Sequence, residues 1–585
     1  MMRMESADTH PANLRRRTMT KLDSLRALVL FGMLLVDWSR ALPLSPGSGS
    51  PPPPGFGSKP HLMFMLTDDL GWSDTEFGGS GTADFGFVKT PVMKHLEGES
   101  LKFNRQYAYS WCAPSRSSLL SGRIPVHVNV YHSIPTAGIH GDPDSSGEGI
   151  PAGMTTMGTV LQGAGYKTHY VGKWGVGFTW KDQNPVARGF DSFFGYLHDS
   201  VDFWNQKLGY QSIEVPGGCE KVTGNDESAG DQLAVDLVRY PMKNGDKKQG
   251  PAYGENGTTW VDYQFLDETK SIIRNHDASL PLFLLHSFHS IHAPLNADAK
   301  LYVGDYAPPP CEGEDAMRTC FEASPCHARR SYGAMVTFAD TAIGEIIAEL
   351  RVKLAPPTSA HRHRPHRLPA LVCSCHVCPP RSTSTLLCAP CYPCRYHQPS
   401  RAQDKAMWEN TLMVVSADNG GAQYASPLGY QLWGSGNNLP LRGGKTSEFE
   451  GGIRVNSFVT GGALPQKTRG QSTNALIQFA DWLGTFAFLA GVEAKDEVAI
   501  AKNLPDFDSI NQWPVLSGET TSTLRTELMV SPVTLIDHGG KYKLLTGPDP
   551  GSINTYQSDG IVPFAEYCTG WARCRISLLS AACHD

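Results

Sequence analysis

Four segments of the chain share one design: a short run of apolar residues stops abruptly at polar, chemically capable side chains. They are "HLMFMLTDDLGWSD" from His61, "YKTHYVGKW" from Tyr166, "PLFLLHSFHSIHAPL" from Pro281 and "TLMVVSADNGG" from Thr411. The runs read as strands, and helical patterns such as "MGTVLQGAGY" and "SYGAMVTFADTAIGEIIAEL" lie between them. This alternation predicts an α/β fold with a mostly parallel central sheet flanked by helices. Ligands gather at the carboxyl ends of the strands in such sheets, so the four polar endings are expected to converge on one site. From about Leu464 the pattern changes to "ALIQFADWLGTFAFLAGV", read as a helix, and then to short strand-like pieces from Glu527 to Thr546. Residues 464–585 are therefore expected to form a smaller C-terminal α+β subdomain after a larger α/β domain over 59–463.

A second constraint is the stretch "YSWCAPSRSSLLSGRIP", Tyr109 to Pro125. A cysteine in such a place is ordinarily a buried structural thiol or half of a disulfide. Here Pro114 can open a helix, and the free N–H groups of its first turn, with Arg116, would make an anion site around Cys112 that suits phosphate or sulfate. The phosphate loop of a cysteine phosphatase needs its arginine six residues after the cysteine, and that position is Ser118. Two further pairs, Asp68-Asp69 and Asp418-Asn419, follow strand-like runs. Either alone is an ordinary strand-end turn. Together they offer four hard oxygen ligands, which select Ca²⁺ or Mg²⁺ over zinc.

Cys112, Pro114, Ser115, Arg116, Leu119 and Ser121-Gly122-Arg123 resemble the signature of the sulfatase family, C-x-P-S-R with a leucine and a small-Gly-Arg tail. The segments "ARGFDSFFGYL" and "RRSYGAMVTFAD" look most like the arylsulfatase B (N-acetylgalactosamine-4-sulfatase) branch. The resemblance runs from about Lys59 to Val459 and implies an alkaline-phosphatase-like fold. It implies that a formylglycine-generating enzyme oxidises Cys112 to formylglycine, whose hydrated aldehyde is the nucleophile on a sulfate monoester. It makes Asp68, Asp69, Asp418, Asn419 and residue 112 the ligands of a Ca²⁺ or Mg²⁺ ion. Arg116 belongs to the catalytic motif. Lys173 and Lys445 match the lysines that hold the sulfate group, and His292, chosen over the nearby His286 and His289, matches the histidine facing the leaving-group oxygen. One departure stands out. Most of the family reads G-K-W-H-x-G where this chain reads "GKWGVG", so Gly175 replaces a histidine that moves a proton, and His169 or His198 is the expected substitute. A phosphate or phosphonate ester hydrolase of the same superfamily and a non-catalytic relative that binds sulfated glycans are the rival readings.

Composition narrows the partners. A net charge of −6 with 18% charged residues gives no basic field for nucleic acid. Arg15-Arg16-Arg17, Lys21, the apolar run Ala27 to Val36 and a Pro/Gly/Ser-rich exit read as a secretory signal and linker over 1–58. The mature chain is then expected to carry no stable membrane span and to be lumenal or extracellular, and the sulfatase resemblance implies a lysosomal or extracellular setting with a sulfated small molecule or glycan as substrate. The sequon Asn256-Gly257-Thr258 fits that route. Val352 to Arg401 holds no Asp or Glu and six of the fourteen cysteines. This block reads as an insertion or a mis-joined stretch of the gene. Its Cys375-x-x-Cys378 and Cys391-x-x-Cys394 have the spacing of a small zinc ribbon.

Overall fold

The computed structural model describes residues 58–77, 88–128, 130, 149–178, 181–207, 235–241, 259–295, 297–301, 325–351, 407–422 and 435–546. The expected signal, the sequon at Asn256, the cysteine-rich block 352–401 and the three C-terminal cysteines lie outside them. The strands are β1 (His61–Thr67), β2 (Leu101–Phe103), β3 (Gln106–Tyr107), β4 (Lys167–Lys173), β5 (Ser192–Tyr196), β6 (Val238–Tyr240) and β7 (Leu282–Ser287). They continue with β8 (Thr411–Ala417), β9 (Ser457–Thr460), β10 (Gln471–Thr473), β11 (Ile477–Gln478), β12 (Leu528–Ser531), β13 (Thr534–Asp537) and β14 (Tyr542–Leu545).

Nine of these strands form one sheet in the order β10-β2-β9-β8-β1-β7-β4-β5-β6. The middle five, β8 to β5, are all parallel, while β9 and β6 run antiparallel to their neighbours. β1, β7 and β8 are buried at every position, which requires helices over both faces and explains why their sequences are continuous apolar runs rather than alternating ones. Helices 112–121, 157–163 and 481–489 pack together as one group. Helices 91–96, 261–275 and 325–351 make another, in which the Asp340 carboxylate accepts the Val92 and Met93 amides at 2.9 and 2.8 Å and closes the start of helix 91–96. No helix among the described residues is long and apolar enough to cross a membrane.

The C-terminal part joins the same core. The stretch read as one helix from the apolar pattern is instead the short strand β11, paired with β3, followed by helix Asp481–Leu489. Trp482 meets the edge of Phe64 of β1 at 5.9 Å, and β10 adds to the edge of the main sheet. The expected strand pieces are β12 to β14, a separate antiparallel sheet.

Register builds the site. β1 and β8 pair from His61↔Thr411 to Thr67↔Ala417, so Asp68 and Asp418 leave the sheet side by side. Leu66 pairs with Ser287 of β7, and Gly172 of β4 pairs with the same Ser287, which brings Lys173 and the 288–292 segment to the same level. Gly172 has φ 102° and a Cβ there would lie 1.7 Å from the Ser287 carbonyl oxygen, so only glycine allows β4 this close.

Candidate active site

Cys112 opens helix Cys112–Ser121, with Trp111 before it in an extended conformation, and Pro114 sits in the first turn where it costs no hydrogen bond. The Cys112 Sγ lies 3.6 Å from Asp68 Oδ1. Lys173 Nζ donates to Asp68 Oδ2 at 2.7 Å, and Lys445 Nζ sits 2.7 Å from Asp69 Oδ1. His292 Nε2 is 3.8 Å from Asp69 Oδ2. One ligand atom from each of Asp68, Asp69, Cys112 and His292 falls within a 4.8 Å cluster. Asp418 Oδ1 accepts the Asp69 amide at 3.3 Å, and Asn419 Nδ2 donates to Asp69 Oδ1 at 2.7 Å. Asp69 itself has φ 65°, an uncommon conformation for a side-chain-bearing residue, and the Tyr332 hydroxyl donates to its carbonyl at 3.0 Å.

The structure thus brings Asp68, Asp69, Cys112, Lys173, His292, Asp418, Asn419 and Lys445 together. Arg116 is placed differently from the expected anion cradle. Its guanidinium turns away into the sheet ends, with Nε and Nη2 on Asp418 Oδ2 at 3.0 and 2.8 Å and Nη1 on the Lys173 carbonyl and Ser287 Oγ at 3.0 and 2.5 Å. With these donors committed, Arg116 braces Asp418 and the strand ends. Cys112 is buried, with 2% of its surface exposed. His169 lies near the start of β4 with Nδ1 2.7 Å from Ser192 Oγ, four residues and about 13 Å of strand before Lys173, so it cannot serve the site. His198 is bound to Asp236 through Nδ1 at 2.9 Å. His286 bonds Thr269 and His289 stacks on Phe203 at 3.9 Å, both within the core.

Burial opposes charge on every ion here, and neighbours decide the outcome. Burial raises Asp68, but Lys173, His292, Arg116 and Lys445 outweigh it and hold the carboxyl well below the usual range. Burial and the charge of Asp68 push Asp418 up. Burial, and beside it Asp68, also push the Cys112 thiol far up, so the sulfur stays protonated and is a poor nucleophile as it stands. Lys173 and Lys445 remain ammonium ions despite burial because Asp68 and Asp69 pair with them. Burial, then Lys445, lower His292 to about 4. Its Nδ1 lies 2.7 Å from the Ala293 carbonyl, which fixes the tautomer with the proton on Nδ1 and the lone pair on Nε2.

The residues fit a divalent cation. Asn419 Oδ1 is buried and has no hydrogen-bond partner among the described residues, an orphan that a metal ion would satisfy. The donors around it are carboxylates and an amide, which suit Ca²⁺ or Mg²⁺. Two residues escaped the sequence reading. Ser287 anchors Arg116, and nothing in its local sequence marks it. Asp199 lies beside Gly175, and its signal was legible: "SFFGYLHDS" is another apolar strand ending in polar residues.

The family model described as Sulfatase matches residues 60–359 and 400–492, more than half of the chain. The chain belongs to the sulfatase family. The sulfatase match breaks between 359 and 400, within the cysteine-rich block. Arylsulfatase J of Mus musculus is 27% identical over 462 residues, which cover 79% of this chain and 56% of that protein. N-acetylgalactosamine-6-sulfatase of Homo sapiens is 25% identical over 470 residues, 80% of this chain and 67% of that protein. The chain therefore spans little more than half the length of the first of these sulfatases. Neither likeness singles out the arylsulfatase B branch. Among solved structures, Ps i-CgsB in complex with k-i-k-neocarrahexaose superposes with a TM-score of 0.55 at 20% identity, covering 84% of this chain and 85% of that one. The PsFucS1 sulfatase from Pseudoalteromonas sp. gives 0.53 at 21% identity, with 84% and 82% covered. At such identity the likeness is one of fold.

Proposed function

We propose that this chain hydrolyses sulfate monoesters, on an aryl or sugar alcohol, with Cys112 converted to formylglycine and a Ca²⁺ or Mg²⁺ ion bound, and that it does so in a lysosomal or extracellular setting. The observation that carries the reading is the meeting of Cys112 Sγ, two lysine ammonium groups and His292 around Asp68 and Asp69. The N-acetylgalactosamine-6-sulfatase likeness supports a sulfated sugar as substrate.

Asp68, Asp69, Asp418 and Asn419 would hold the cation. The formylglycine hydrate supplies a nucleophilic hydroxyl that the protonated thiol cannot, and the cation supplies charge against the sulfate oxygens. The chain's own residues do the rest. Four carboxylates, Asp68, Asp69, Asp418 and Asp199, stand against three cations, Arg116, Lys173 and Lys445, so a bound divalent ion still leaves the site net cationic and matched to an anionic ester. Lys173 and Lys445 hold the sulfate group in place of the carboxylates that occupy them here. His292 is neutral at rest. An ester anion brought next to Nε2 raises its basicity, and the proton it then holds is the one a departing alkoxide needs.

The test is mass analysis of the peptide bearing Cys112 from secreted protein, run beside turnover of aryl sulfate and aryl phosphate esters. The expected result is an aldehyde at 112 and preference for sulfate. Full activity in protein whose Cys112 is still a thiol would remove the reading.

A further inference from the structure

β4 and β5 stay paired past their named ends: the Trp174 and Gly175 amides donate to the Tyr196 and Leu197 carbonyls at 2.9 and 3.2 Å. Two residues later stands Asp199. Its neighbours are clamped, since Asp236 accepts the Leu197 and His198 amides and the His198 ring, and Ser200 Oγ donates to the Ala293 carbonyl. Asp199 is thereby held over Gly175. A Cβ at position 175, whose φ is 62°, would lie 3.5 Å from Asp199 Oδ1, 3.5 Å from Lys173 Cε and 3.4 Å from Arg116 Cδ. Asp199 Oδ1 is shut off from solvent and has no hydrogen-bond partner among the described residues. A buried carboxylate oxygen without a donor is costly, and a water, an ion or a substrate group meeting it removes that cost.

We infer that Asp199 is the proton-accepting carboxylate of this site, reaching over Gly175 into the place where the G-K-W-H-x-G pattern puts an imidazole. The inference rests on the sulfatase reading. A sulfate monoester and one water give an alcohol, sulfate and one proton; the ester S–O bond breaks, a new S–O bond forms, and the surplus proton must leave. Asp199 Oδ1, which has no donor of its own, can take it, and the half-buried Asp199 side chain can pass it on to solvent. Burial raises Asp199, against the opposing pull of Lys173, Lys445 and Arg116 and with Asp68 adding to it, which suits a group that must bind a proton during turnover. With no side chain at Gly175, Asp199 Oδ1 borders the same small space as Lys173 Cε and Arg116 Cδ.

The experiment compares wild type, Asp199→Asn, Asp199→Ala and the double variant Asp199→Ala with Gly175→His. Aryl sulfate turnover is followed across pH, together with calorimetric binding of inorganic sulfate in buffers of different ionisation enthalpy. Asp199→Asn should keep its melting temperature, lose about 10²-fold or more in kcat with KM within a few-fold, and lose the limb of the pH profile that a base creates. Its proton uptake on binding sulfate should be smaller than that of wild type. The double variant should regain at least about 10-fold over Asp199→Ala, because an imidazole can do the same work. An unchanged kcat and pH profile in Asp199→Asn, with wild type active, overturns the role of Asp199 and leaves the sulfatase reading intact. If wild type carries formylglycine yet turns over no sulfate ester, the sulfatase reading falls. Equal proton uptake in wild type and Asp199→Asn would then overturn the role of Asp199 as well.

Discussion

Two sets of buried ions in this chain are built on opposite plans. The Asp481 carboxylate receives the Gln478 and Ile510 amides at 2.9 Å each, the Gln512 side chain at 3.0 Å and two guanidinium donors of Arg525. Both of its oxygens are saturated. At the strand ends, Asp68, Asp69 and Asp418 share Arg116, Lys173 and Lys445, yet two acceptors nearby, Asn419 Oδ1 and Asp199 Oδ1, are left without donors. The Asp481 carboxylate is closed and serves the fold, while the Gln478 and Gln512 side-chain oxygens around it have no partner among the described residues. At the strand ends the open acceptors lie among the groups that would hold a cation and a substrate, where a ligand would meet them.

The comparison breaks most sharply on activity. Cys112→Ala and Cys112→Ser should each lower sulfate ester turnover by roughly 10³-fold or more while leaving the melting temperature near that of wild type, since the residue serves chemistry. Unfolding of both variants would place Cys112 in the structural class instead. Next comes the reverse case. Asp481→Ala strands the Arg525 charge and should cost about 3–5 kcal/mol in denaturant unfolding, with turnover per folded molecule unchanged. A loss of activity in the remaining folded fraction would show that the two ion sets are coupled.

Asn419→Ala sharpens the contrast. It should weaken the cation and activity by at least about 10-fold, partly restored by excess Ca²⁺ or Mg²⁺. In chelated protein the same variant should melt close to chelated wild type. Chelation of wild type should lower both activity and melting temperature, because a ligand that binds only the folded state stabilises it. A metal-free protein with full activity would refute the cation assignment.

The last test concerns a buried carboxylate with two amide donors. Burial raises Asp340 to about 7, against the pull of the Met93 and Val92 amides. A folded value above the unfolded one of about 3.9 means that its contribution is fully present below that pH and is lost as pH rises through about 7. Asp340→Asn should therefore flatten the fall in stability between pH 4 and 7, whatever constant offset it adds. An unchanged slope in the variant would show that another group carries the dependence.

Local sequence carried the parts of this picture that are themselves local. Apolar runs ending at Asp68, His286 and Asp418 read as strands because each is continuous and short, the more mixed run before Lys173 has the same abrupt polar end, and their convergence follows from parallel topology. What stayed hidden depends on pairing between distant segments. His169 looked as near the site as Lys173 in sequence, but a strand separates them by its length. Asp199 stands after an apolar run of the same design, yet only the extended pairing of Gly175 with Leu197 shows that it lies over Gly175. The stretch from 475 read as one helix because its apolar residues are continuous, whereas Ile477 and Gln478 are drawn into pairing with Gln106 and Tyr107.

The burial of Cys112 has a consequence in time. With 2% of its surface exposed and its sulfur against Asp68, this cysteine is out of reach of any enzyme once the sheet has closed. On the proposed reading, oxidation and folding are therefore competitors on one nascent chain. A molecule that folds first keeps its thiol for good, so the fraction of active protein in a preparation is set by a race during synthesis rather than by the stability of the finished structure.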